Sequence, residues 1–268
     1  MIDRELHERL RERFNPDGSQ LRRQQLRMLD MLKTFDAFCR RHGIRYWLSS
    51  GTCLGAIRHE GFIPWDDDLD VEMLRDDYRL LLRHRAELAE LGIPLQDHSS
   101  DEEYIAPYPK LRDLRSELKE IHPNDRWYAM KGIYIDVFVR ERVSRFSARL
   151  SHILQYGSYR ITRQSDRRVR SFMKGAVYHA MHGVIFPLLG ACDRVAASSA
   201  VVRHCKGSGF YSELSLSQIF PLSEALFEGH RFPVVHGADA YLRSCYGDYM
   251  RLPQLDNIRP HYSELTIY

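Results

Sequence analysis

Four carboxylates within five positions, Asp66-Asp67-Asp68-Leu69-Asp70, are the residues of this chain most suited to do chemistry. In Asp68-Leu69-Asp70-Val71 the alternation of a strand puts both carboxylates on one face and both apolar side chains on the other. Like charges so placed repel unless a cation sits between them. Hard oxygen ligands in a short fork suit Mg²⁺, with Mn²⁺ as the alternative ion; Mg²⁺ keeps part of its water shell and takes remaining ligands from substrate phosphates. Upstream, Ser50-Gly51-Thr52 has the small residues of a tight turn whose N–H groups and hydroxyls would face the same phosphate. The stretch from Ser49 to Val71 therefore reads as a metal-bound phosphate site. Asp66 and Asp67 read either as further ligands or as capping residues.

These residues need elements to position them. Leu21, Leu26, Leu29, Leu32, Phe35 and Phe38 recur at helical spacing between Ser19 and Arg41, and Gly43 ends that helix. Ile44 to Ser50 reads as a strand, and Arg75 to Leu91 as a helix stopped by Gly92-Ile93-Pro94. Strand-like stretches follow from Tyr104 to Leu111 and from Gly132 to Val139. The latter is apolar on both faces except at Asp136, and a lone acid in a buried strand requires a partner or a function. Pairing with an arginine is the plain alternative.

The chain has 268 residues, 44% hydrophobic and 28% charged, which places it among globular proteins. No apolar run approaches the roughly 20 residues of a membrane span, and the first residues are charged rather than signal-like, so a cytoplasmic location is expected. Five cysteines without a Cys-x-x-Cys pair argue against a disulfide framework and a structural zinc site. Nine arginines between Arg140 and Arg170 face only Glu141 and Asp166 on a background that looks helical. The expected organisation is a core over 1–141, a basic helical insertion over 142–206 and a segment over 207–268 packing back on the core. The basic face is either merely solvated or a peripheral contact with the anionic inner membrane face. Nucleic acid is not expected, because interleaved stacking aromatics and a recognised motif are missing.

Gly51-Thr52-x-Leu54-Gly55-Ala56-Ile57-Arg58-His59, running into Gly61-Phe62-Ile63-Pro64-Trp65-Asp66-Asp67-Asp68-Leu69-Asp70, resembles the signature of the LicD family, phosphorylcholine transferases related to fukutin-type proteins. Lys110-Leu111-Arg112-Asp113, Gly132-Ile133-Tyr134-Ile135-Asp136-Val137-Phe138 and Tyr246-Gly247-Asp248-Tyr249-Met250-x-x-Pro253 fit in order. The resemblance covers about 45–140 and 210–255 and leaves the basic segment uncovered. It implies an α+β fold, a nucleotidyltransferase-like mixed sheet flanked by helices. It also implies matching positions for a phosphate turn at Gly51-Thr52, a metal pair at Asp68 and Asp70, and a third acid at Asp136. The gap between turn and acid pair is longer than the usual pattern, which weakens the case for Thr52. Family members transfer phosphocholine or a similar phospho-group from a cytidine-activated donor to a glycan hydroxyl, releasing CMP.

Phosphoryl-type transfer needs an in-line nucleophile and neutralisation of developing charge. Asp68 and Asp70 would hold one or two Mg²⁺ against the diphosphate. Asp136 would either complete a second metal site or accept the acceptor hydroxyl's proton. Arg58, Lys110 and Arg112 are candidates to neutralise the leaving phosphate, and Ser50, His59, Trp65 and Tyr108 to touch substrate. Trp65, Tyr104, Tyr108 and Trp127 offer aromatic faces for a quaternary ammonium if CDP-choline is the donor. Two alternatives remain at this level: nucleotidyl transfer with release of pyrophosphate, and nucleotide or glycan binding without turnover. Retention of three mutually repelling acids speaks against the last.

Overall fold

The computed structural model describes residues 3–121, 127–164, 172, 176–196, 200–210, 212–258 and 260–268. Arg167, Arg168 and Arg170 of the basic run lie outside the described residues. Helix α1 (Arg4–Phe14) starts at Asp3, whose carboxylate accepts the Leu6 N–H. Helix α2 (Gln20–His42) is capped by Ser19 and ends at Gly43, whose φ of 66° lies in the left-handed region that glycine enters at least cost. Its inner face buries Leu29, Leu32, Phe35 and Phe38, as the spacing predicts, together with Met28, whereas Leu26 is exposed.

Strand β1 (Trp47–Leu48) is shorter than the expected 44–50 and passes at once into α3 (Ser50–His59). Strand β2 (Asp70–Leu74) follows the acidic loop. The single helix expected over 75–91 is two, α4 (Arg75–Arg83) and α5 (Arg85–Glu90), because His84 leaves helical geometry at φ −109°, ψ 15°. Then come β3 (Leu95–Gln96), β4 (Lys110–Arg112), β5 (Ser116–Glu120) and β6 (Tyr134–Glu141). The middle segment holds α6 (Arg145–Gln164), a π-helical turn at Met181–Ile185 and α7 (Phe186–Ala196). It is followed by β7 (Val201–His204), β8 (Glu213–Ser215), α8 (Leu216–Ile219), β9 (Ser223–Phe227), β10 (His230–Val234), α9 (Ala238–Tyr246) and β11 (Tyr262–Ile267).

The main sheet runs β1-β2-β6-β4-β3, with β7 and β8 continuing from the far end of β6. Strands β2 and β6 are parallel and their other neighbours antiparallel, so the sheet is mixed and the fold is α+β. Two further pairs, β9–β10 and β5–β11, stand apart. Leu69, Val71, Ile135 and Val137 point into the core against α2, while Asp70, Glu72, Asp136 and Arg140 occupy the opposite face. Further along that face, Arg140 and Glu72 form a fully buried ion pair, with Arg140 Nη2 2.9 Å from Glu72 Oε1 and Trp47 Nε1 donating to Glu72 Oε2 at 3.0 Å.

Close approach of α3 to the loop before the acids depends on Gly55. A Cβ there would lie 2.5 Å from the Gly61 carbonyl and 3.4 Å from the Ile63 nitrogen. Gly55→Ala is expected to cost about 1–3 kcal/mol through this overlap, read as a lowered melting temperature. An unchanged melt would show that the loop yields freely.

Candidate metal and phosphate cleft

A cleft of about 1030 Å³ opens over the carboxylate face of the sheet. Its floor follows from strand register. The parallel pair sets Asp70 opposite Asp136, and the antiparallel β4 sets Lys110 opposite Asp136. Asp68 joins them from the loop that enters β2. Lys110 Nζ lies 3.2 Å from Asp136 Oδ1, 3.4 Å from Glu120 Oε2 and 3.2 Å above the Tyr134 ring.

Helix α2 fixes the acidic loop from behind, for the buried Gln24 and Gln25 amides donate to the Asp67 and Asp66 carbonyls at 2.7 and 2.9 Å. Thr52 Oγ1 accepts the Asp70 N–H at 2.8 Å, so this hydroxyl positions a carboxylate instead of facing a phosphate. Gly51 is the first turn of α3, not a free turn, and a Cβ on it would meet Asp66 Oδ2 at 2.9 Å.

Of the residues expected at the site, Ser50, Asp68, Asp70, Tyr108, Lys110 and Asp136 line the cleft together. Gly51, Thr52, Arg58, His59, Trp65 and Arg112 do not line it. Arg112 is fully buried and donates to Gln96, the Gly132 carbonyl and Glu120. Arg58 is buried and donates to the Tyr249 carbonyl at 2.7 Å and to His59 Nε2 at 2.9 Å. Both arginines therefore brace the walls, and neither reaches the cleft to neutralise a phosphate. Burial beside Arg58 pushes the His59 imidazole down to about 3, keeping it neutral. Trp65 packs edge-on against Phe14 and His59.

Several cleft residues escape a reading of the sequence. Glu120 arrives on β5, and His261 just before β11. His261 holds Asp67 twice, through its backbone N–H at 2.7 Å and Nδ1 at 2.5 Å, and stands 3.8 Å from Asp68. The bond to Asp67 raises the imidazole to about 9, so it is a cation at neutral pH. Tyr241, Ser244 and Tyr246 come from α9, and the Tyr241 hydroxyl accepts the N–H of Ser50, a residue held at φ 46°. Tyr246 opens the quoted Tyr246-Gly247-Asp248-Tyr249 motif, a signal that marks this wall. Away from the cleft, His42, His84 and Glu87 are the one group of three or more His, Cys, Asp or Glu among the described residues whose ligand atoms lie within 4.8 Å of one another, and His42 Nε2 is already paired to Glu87 at 2.7 Å.

The acids disturb one another as the repulsion argument requires. Burial, then the charges of Asp68 and Asp136, raises Asp70 well above the usual carboxylate range. Burial and Asp68 do the same to Asp66, and burial raises Asp68. Burial lifts Asp136 to about 6 against the opposing pull of Lys110. Asp136 Oδ1 is buried without hydrogen-bond geometry to any partner, its ion pair with Lys110 apart. An all-oxygen, multiply acidic, desolvated donor set of this kind fits a hard divalent cation, which would reverse these shifts.

Comparison with known proteins agrees with the geometry. Residues 43–163 match the LicD/FKTN/FKRP nucleotidyltransferase domain. The chain is 27% identical over 271 residues to lipopolysaccharide cholinephosphotransferase LicD of Haemophilus influenzae, covering 90% of this chain and 96% of that protein. A local match of 51% over 35 residues, 13% of this chain and 7% of the relative, links it to human ribitol 5-phosphate transferase FKRP. Another, 37% over 60 residues, covers 22% of this chain and 5% of mannosyltransferase regulator 4 of Saccharomyces cerevisiae. Residues 43–163 thus match the nucleotidyltransferase domain of the LicD/FKTN/FKRP family, and nearly the whole chain is similar to a member of it.

Proposed function

We propose that this protein is a Mg²⁺-dependent phosphotransferase that moves phosphocholine from CDP-choline to a hydroxyl of a cell-surface glycan, releasing CMP. The observation that carries the reading is the convergence of Asp68, Asp70 and Asp136 with Lys110 on one cleft floor. Full-length similarity to a cholinephosphotransferase supports the choice of cargo. The acceptor is carried on a lipid, which sets the work at the inner membrane face.

Asp68 and Asp70 are the residues that would hold the cation, whose chemistry is to neutralise charge developing on the diphosphate. Lys110 adds a fixed positive charge beside Asp136, and His261 a second one at the loop end of the cleft. Asp136 either completes the metal set or takes the proton of the attacking hydroxyl. Tyr108, Tyr134, Phe138 and Phe210 give the cleft aromatic walls against which a quaternary ammonium is held. The chain forms no covalent intermediate in this scheme. Positioning and charge stabilisation account for the rate.

A donor panel tests the reading. Purified protein with Mg²⁺ is expected to release CMP from CDP-choline and to stop on chelation. CDP-ethanolamine, CDP-glycerol and CMP-aminoethylphosphonate serve as competing cargoes, and CTP as the probe for nucleotidyl transfer. Release of pyrophosphate from CTP without CMP from any donor would transfer the assignment to nucleotidyl transfer.

A further inference from the structure

Helix α6 carries an outward line of mixed composition. Phe146, Arg149, Ile153, Tyr156 and Arg160 follow one another at steps of three or four, and so lie in one row along the helix. All five are exposed, with Phe146 at 70%, Ile153 at 65% and Tyr156 at 57%. The orientation of the helix is fixed by its other side. Ser147 Oγ donates to Asp193 at 2.7 Å, Ser151 Oγ accepts the Gly207 N–H at 3.0 Å, and Gln155 donates to the Ile105 carbonyl at 2.7 Å. Large apolar groups are therefore held in water by a well-anchored helix. The neighbouring α7 exposes Leu188 and Val195 as well, opposite its buried Phe186 and Asp193.

Charge selects the occupant. From Arg142 to Gln164 the sequence has five arginines and no aspartate or glutamate; Arg145 is paired with Glu213, and Arg149 and Arg160 stand in the row, so an anionic surface complements it. Aliphatic and aromatic groups alternating with arginine suit the boundary between headgroups and acyl chains. There the apolar side chains enter the acyl region while guanidinium groups extend back to the phosphates. A nucleic-acid backbone would meet the arginines equally well but gives Ile153 and Phe146 nothing to contact. The row also adjoins the cleft, because Tyr156 lines a neighbouring hollow of about 350 Å³ together with Tyr108, Lys110 and Glu120, which line the cleft too.

We propose that the outer face of α6 docks on an anionic lipid bilayer, presenting the cleft to a glycan carried on lipid. The docking stands on its own; the delivery of a lipid-linked acceptor rests on the transferase reading above.

Co-sedimentation of the full-length protein with vesicles tests it, using phosphatidylcholine alone and phosphatidylcholine mixed with phosphatidylglycerol. Binding is expected only to the mixed vesicles and is expected to weaken in high salt. Arg149→Glu and Arg160→Glu should each weaken it by about tenfold. Ile153→Ser should weaken it severalfold at constant charge. Arg9→Glu with Arg231→Glu, on other exposed sites and with twice the charge change of either single variant, should leave it within about twofold if the row is specific. Thermal melts and CMP release from soluble donor serve as controls for folding and for the cleft. Absence of binding to mixed vesicles, an equal loss in the Arg9/Arg231 variant, or binding to tRNA in place of vesicles would each overturn the proposal.

Discussion

Asp70→Asn is expected to lower phosphocholine transfer by about a thousandfold while leaving the fold intact. A cation bridging substrate phosphates contributes several kcal/mol to the transition state, and about 4 kcal/mol corresponds to three orders of magnitude. Asn preserves the volume of the side chain and leaves the Thr52 bond to the residue 70 backbone untouched. It removes one charge from a cluster in which burial and neighbouring acids hold Asp70 well above its ordinary value. A carboxyl raised in the folded state favours folding while protonated. That contribution is lost as pH climbs from the ordinary aspartate range through the raised value. The metal-free variant should therefore melt at or above the wild type at neutral pH, and the gap should close in acid. Mg²⁺ at a hundred times its dissociation constant should stabilise the wild type by about 2.7 kcal/mol and leave the variant unmoved. Transfer assays with paired melts decide the matter. Full activity, or an unchanged Mg²⁺ shift, would remove Asp70 from the metal set.

The second large effect lies behind the cleft. Arg140→Met should destabilise the protein by about 3–5 kcal/mol, because it strands the Glu72 carboxylate in a fully buried position. At about 2–4 °C per kcal/mol for a chain of this size, the melting temperature should fall by roughly 10 °C. Burial acts to raise Glu72, but Arg140 and His204 outweigh it and hold the carboxyl below its ordinary value. The wild-type contribution of Glu72 is therefore present above the ordinary glutamate range and is lost as pH falls below it. The variant loses this pH dependence, so its deficit should be larger at neutral pH than near pH 4, in the range of the unperturbed glutamate. The double variant Arg140→Met with Glu72→Leu should recover most of the loss, since an apolar pair of similar volume needs no compensation. Failure of the double variant to recover would mean that Trp47 and Ser212, which also bond this pair, hold the strands together through it.

The parts of the fold legible in sequence are those written in local periodicity. Helix α2 announces itself through Ser19, its apolar spacing and Gly43. Strand β6 shows as an apolar run around Asp136. The acid trio was legible for the same reason, since two members share a strand alternation and the third interrupts an apolar strand. Pairings between distant segments leave no local trace. Strand β4 is three residues long, and only its register beside β6 places Lys110 on Asp136. Glu120 and His261 reach the cleft through the β5–β11 pair, which joins segments more than a hundred residues apart and has no periodic signature. Arg58 and Arg112 are buried in the walls, and in sequence a cationic side chain beside a motif reads alike whether it faces a ligand or a carbonyl. Burial separates the two cases, and burial of a charged residue is not encoded in its neighbours.

The grip of His261 on Asp67 spans 194 positions of the chain. At synthesis rates of about 5–20 residues per second, the acidic loop waits roughly 10–40 s after translation before its partner exists. During that interval the nascent core must carry four neighbouring carboxylates without the cation that later braces them. Ribosome-bound chains stalled before position 261 should accordingly be open at this loop and cut there by protease, and the cleft should close only as the β11 segment emerges. Completion of the cleft is thus a late event of biogenesis, since the acidic loop is fixed only once the distal segment has docked.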